Sequence, residues 1–146
     1  KNKQSKIEKN DIVLGSAAHQ AHYIGKHIDI VDELPQDFLD GVLTVAEIMT
    51  IRAKEAISPF VLLLFLRSGV GYEVIQRQIK GQTSHLYPKD MAGIGIPEAI
   101  IKISKSEAGK KIESKIKSSL EKSRLSKQKF QEAKDFVENL IKRKSE

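Results

Sequence analysis

Up to residue 103 the apolar positions fall in short runs and alternations, and beyond it they fall at helical spacing. Residues 1–10 are polar and predict a loop or a frayed start. Ile12-Val13-Leu14, closed by Gly15-Ser16, predicts a buried strand. Residues 15–26 are polar and glycine-punctuated, which predicts a loop. Ile28-Asp29-Ile30 alternates and predicts a second strand with one wet face over residues 28–31. Residues 32–40 are acidic and contain Pro35, as a connection would. Residues 42–51 predict mainly a strand, although Ala46 and Glu47 permit a helix. Ser58-Pro59 is a helix start, with Ser as N-cap and Pro at the first helical position. Residues 60–67 then form a helix apolar nearly all round, hence buried. Gly69 and Gly71 break it. Residues 72–80 predict a second helix, with Val74, Ile75 and Ile79 inward, Gln76, Arg77, Gln78 and Lys80 outward, and Gly81 as C-cap. A polar loop follows, then a single helical turn at Pro88 to Asp90. Residues 94–96 are expected to return to the sheet before Pro97 ends the strand.

From about Ser104 onward there is no proline and one glycine, Gly109. Ala108, Ile112, Ile116 and Leu120 recur every fourth residue. Phe130, Ala133, Val137 and Leu140 resume the stripe after a weak middle at residues 121–129. A helix of about 40 residues is ~60 Å long, too long for a small body to cover its stripe. Ile112, Ile116, Leu120, Phe130, Val137 and Leu140 are therefore predicted to meet another helix, in this chain or in a partner. The predicted fold class is α+β: a small mixed sheet with two short helices, followed by a long C-terminal helix of coiled-coil type. The expected division is residues 1–103 and 104–146.

Charge sharpens this division. The 146 residues carry a net charge of +6, and residues 101–146 hold 14 Lys and Arg against 7 Asp and Glu. The basic surplus thus belongs to the C-terminal helix. It suits phosphate neutralisation and a solvated, soluble helix face equally well. With no cysteine, disulfides and thiolate metal sites are excluded. That suits a reducing compartment, and a cytoplasmic location is expected. The apolar run at residues 60–66 is far too short to span a bilayer, so no membrane partner is expected. The chain does not begin with Met, and a fragment or processed chain is the expectation.

No catalytic constellation stands out. Gly69-Val70-Gly71 and Gly93-Ile94-Gly95 do not open a helix after a strand, as a dinucleotide fingerprint requires, and read as punctuation and close backbone packing. His19, His22 and His27 lack a fourth ligand and a zinc spacing. Ser16 with His19 has no carboxylate to orient a triad. No catalytic residue, metal or cofactor is assigned. Two polar loops are the better candidates. Gln82, Thr83, Ser84 and His85, with Lys89 beyond them, can donate to and accept from base edges or phosphates. Gln20, His22, Tyr23 and Lys26 offer a similar set. Both sets also suit ordinary polar turns.

Taken in order, several of these segments resemble the target-recognition domain of type I restriction–modification specificity (S) subunits. Residues 9–16, Lys-Asn-Asp-Ile-Val-Leu-Gly-Ser, look like the family's strand opening, with Asn10 where Gly is expected. Tyr23-Ile24-Gly25-Lys26 resembles the following turn. Residues 58–68, from Ser58-Pro59-Phe60 to Leu66-Arg67-Ser68, resemble its leucine-rich helix. Residues 81–90 resemble the loop into a short turn. Ile94-Gly95-Ile96-Pro97 resembles the strand that ends the domain, with Glu98 in place of a second Pro. The helix beyond resembles the conserved spacer helix. The resemblance covers residues 9–143 and lacks the first half of a full recognition domain and any second domain.

The resemblance implies a non-catalytic module that reads one half of a bipartite site on double-stranded DNA through the two loops. Its long helix would pair with a second spacer helix, such as that of another copy in a homodimer, and dock methyltransferase (modification) subunits. Methyl transfer from S-adenosylmethionine and ATP-driven cleavage would belong to partners. Two other readings compete. One is the C-terminal recognition portion of a fused adenine-specific DNA methyltransferase. The other is a helix-mediated interaction protein without specific DNA binding.

Overall fold

The computed structural model describes residues 6–34, 41–45, 47–81 and 84–143. Within them run strands β1 (Ile12–Gly15), β2 (Ala17–Ala18), β3 (Ile28–Ile30), β4 (Ile48–Ile51) and β5 (Ser84–His85). The helices are α1 (Pro59–Arg67), α2 (Gly69–Gln76), α3 (Pro88–Ala92), α4 (Glu98–Ser104) and α5 (Glu107–Arg143). The chain divides into two units, Lys1–Glu113 and Ser114–Glu146. This is a small α+β domain with antiparallel sheet pairing, short helices and one long C-terminal helix.

Alternation builds the sheet. Ile12 and Leu14 of β1 are buried while their neighbours are half-exposed, and Ile28 and Ile30 of β3 flank an exposed Asp29. β1 is the central strand. It pairs antiparallel with β3 (Ile12 opposite Ile30) and with β4 (Ile12 opposite Ile51). The buried side chains meet α1, which contributes Phe60, Val61, Leu62, Leu63, Phe65 and Leu66 to the core. Leu64 is 43% exposed, so α1 is buried on a wide face but not all round as predicted.

Two loop residues tie the sheet's entrance. Asn10 has φ 71°, the left-handed region that Gly adopts freely and Asn tolerates better than most residues. Asp11 is 1% exposed. It accepts from Arg52 Nε and Nη2 at 2.8 Å each and from the Glu8 backbone N–H at 2.7 Å. Burial pushes the Asp11 carboxyl up, but the Arg52 and Glu8 hydrogen bonds and the Arg52 charge outweigh it and hold the group below its ordinary range.

The α1–α2 corner bends by 76°. Ser68 makes it: its hydroxyl donates to Phe65 O at 2.6 Å and accepts from Gly71 N at 3.1 Å. A Cβ on Gly71 would collide with the Phe65 carbonyl, whereas one on Gly69 would meet nothing. The glycines thus sit inside α2's first turn instead of breaking the chain before it. α2 ends at Gln76, earlier than predicted, because the chain must turn back to pair Lys80 with His85. Gly81, at φ 89°, serves that turn and caps no helix.

Other expectations need correction. Among the described residues of the segment 42–51, only residues 48–51 form a strand, pairing with the four residues of β1. Residues 94–96 form no strand; Ile94 and Ile96 line an apolar groove with β4 residues without pairing to them. The long helix is continuous from Glu107, close to its expected start, and is preceded by an additional short helix, α4, that stops at Ser104. Ser106 turns that corner, donating to Ile103 O at 2.7 Å, and Gly109 packs where a Cβ would strike the Ile103 and Ser104 carbonyls. Among the described residues no single helix is long and apolar enough to cross a membrane.

Candidate nucleic-acid interface

The two polar loops singled out from the sequence leave one ribbon. β2 and β5 pair antiparallel, with Ala17 opposite His85 and Ala18 opposite Ser84. His19 and Gln20 therefore follow β2 at the end of the ribbon where residue 84 enters β5. Ser16 fastens the ribbon to the sheet: its N–H donates to Glu47 O at 2.7 Å and its carbonyl accepts from Leu86 N at 2.8 Å. The short strands form because neighbouring chain is already paired, which residue preference alone does not announce.

Beyond β2, Ala21–Tyr23 forms a single 3-10 turn, and Gly25 at φ 72° redirects the chain towards β3. Gln20, His22 and Lys26 are exposed, and Tyr23 is 50% exposed. The His22 and Tyr23 rings lie 4.0 Å apart between centroids, and Lys26 Nζ sits 5.4 Å from the Tyr23 ring centre. This cation-on-ring contact holds a positive charge over a half-exposed aromatic ring. Aromatic rings next to cations are the side chains on which bases stack and phosphates are neutralised.

The second loop is more varied in its exposure. Gln82 and Thr83 lie outside the described residues. Ser84 is buried in the ribbon. His85 is half-buried and stacks on Tyr87, with centroids 6.0 Å apart and planes 19° from parallel. Lys89, in the first turn of α3, is exposed. Lys80 Nζ holds Asp90 Oδ1 at 2.8 Å and so ties the ribbon's turn to α3.

Sequence reading missed the residues that hold the first loop. Gln76, expected to face outward, donates from Nε2 to Ala21 O at 3.1 Å and to Ile24 O at 2.7 Å. The Tyr72 hydroxyl donates to His22 O at 2.9 Å. Helical spacing places Tyr72, Ile75 and Gln76 on one face, but nothing local in α2 reveals that a loop fifty residues earlier covers it.

Two other surfaces are open. An apolar groove of about 980 Å³ runs beside β4, lined by Ile48, Met49, Ile51, Leu62, Leu86 and Met91 among others, and by His85 and Tyr87 at its rim. Ile94 and Ile96 line the same groove instead of joining the sheet. In α5, Ile112, Ile116 and Leu120 are half-buried, while Phe130 (76%), Val137 and Leu140 are exposed. Leu125, Phe136 and Ile141, not included in the predicted seam, are exposed as well. Among the described residues no three His, Asp or Glu side chains converge to hold a metal ion. No family model, curated protein or solved structure matches the chain.

Proposed function

We propose that this chain is a non-catalytic DNA sequence-reading module whose long helix joins it to partner helices, as in a type I specificity subunit. The observation that supports the reading is an exposed loop led by a β-ribbon: β2 pairs with β5 and runs into the loop that presents His22, Tyr23 and Lys26 to solvent, while β5 carries His85 and α3 beyond it the exposed Lys89. A short ribbon with polar and aromatic side chains at its loops is of a size to enter a major groove. The helix supports the second half of the proposal. Its exposed Phe130, Phe136, Val137, Leu140 and Ile141 form apolar surface that a partner helix would cover. Methyltransferase subunits and a second copy of this helix are the partners the resemblance suggests.

Lys26 is the residue to test first. Its ammonium beside Tyr23 is placed in this reading against a phosphate. Lys26→Ala is expected to weaken binding to a mixed-sequence duplex and to reduce the slope of log affinity against log salt by about 1. The measurement is fluorescence anisotropy across a salt titration. An unchanged slope and affinity would remove this loop from the interface.

A further inference from the structure

We infer that Tyr72 and Gln76 of α2 are positioning residues for the recognition loop, acting through its backbone without touching the ligand. This inference rests on the DNA-reading proposal. The turn Ala21–Tyr23 has no regular sheet partner, and its Gln20 N-cap makes no side-chain hydrogen bond to the turn's N–H groups. Its carbonyls are instead claimed by α2. Gln76 Nε2 bridges Ala21 O and Ile24 O, and the Tyr72 hydroxyl takes His22 O between them. Ile75, fully buried between these two, lies against Gly25, whose added Cβ would stand 2.9 Å from Ile75 Cγ2.

Three carbonyls within four residues, those of Ala21, His22 and Ile24, are thus fixed by one helical face. The side chains on the opposite side of the same turn, His22 and Tyr23, remain exposed with Lys26 just beyond. This division of labour is what a reading loop requires. Loop side chains discriminate bases only if the backbone carrying them is held before binding, because ordering it during binding consumes affinity. An amide at position 76 is suited to the task, since its NH₂ group supplies two donors from one atom. Carboxylate or apolar side chains at that position supply none.

The test uses the full chain and two substitutions. Gln76→Met removes both donors at similar volume, and Tyr72→Phe removes one hydroxyl. Hydrogen exchange is followed at the amides of residues 21–26. Affinities are compared for a duplex enriched by the unsubstituted chain from a randomised pool and for a scrambled duplex of equal length. Gln76→Met is expected to raise exchange at these amides by roughly tenfold. It should also lower the ratio of enriched to scrambled affinity while leaving scrambled affinity and its salt slope unchanged. Tyr72→Phe is expected to shift both in the same direction by less, and it carries the test if Gln76→Met does not fold. Unchanged exchange, or an unchanged ratio despite faster exchange, overturns the inference. If the unsubstituted chain enriches no sequence, the DNA-reading proposal itself fails, and the positioning role that rests on it falls with it.

Discussion

At the scale of single residues, conformation and hydrogen bonding explain choices that composition leaves arbitrary. Asn10 adopts a left-handed backbone just before Asp11, whose buried carboxylate knots the start of β1 to Arg52. Asn10→Gly is expected to be tolerated. Asn10→Val forces a β-branched residue to φ 71° and should cost about 1–2 kcal/mol. Chemical denaturation of the two variants checks this, and equal midpoints would contradict it. A reader of the sequence sees Asn-Asp before an apolar run and finds a turn. The Arg52 partner is invisible because it lies just beyond β4, brought alongside only by the β1–β4 register. Tyr72 and Gln76 escaped in the same way. Their helical positions are legible, but the loop that covers them is brought there by the tertiary fold.

At the scale of elements, the strong periodic signals were legible and the weak ones yielded to pairing. β1, β3 and α1 stand where alternation, an apolar run and Ser58-Pro59 put them. Residues 94–96 show the limit: three apolar-rich positions before a proline look like a strand, yet Ile94 and Ile96 line the apolar groove beside β4 without pairing. β2 and β5 show the converse, two-residue strands made by their mutual pairing with no propensity signal. The long helix was legible from its spacing, while the α4–α5 corner depends on Ser106 and Gly109 contacts. Among the described residues of α5, Phe130, Val137 and Leu140 are exposed, and polar groups fill the middle of the stripe. Combined Phe130→Asp and Val137→Asp substitutions are expected to abolish any self-association or helix-partner complex without lowering the denaturation midpoint of the α+β domain. Light-scattering mass is the check. A mass unaffected by the two charges would show that assembly does not use this face.

At the scale of the whole molecule, charge and open surface suggest the same division of roles. The α+β domain carries the aromatic and cationic loops, and the helix carries the basic surplus and the uncovered apolar side chains. In the proposed reading the chain would read with one part and assemble with the other, and any chemistry would be left to its partners. The most direct test is selection from a randomised duplex pool by the unsubstituted chain at near-physiological salt. This account predicts enrichment of one short sequence, bound more tightly than its scrambled counterpart at every salt concentration. Retention of duplexes with no common sequence, weakening uniformly as salt rises, would contradict it and leave only non-specific phosphate contact.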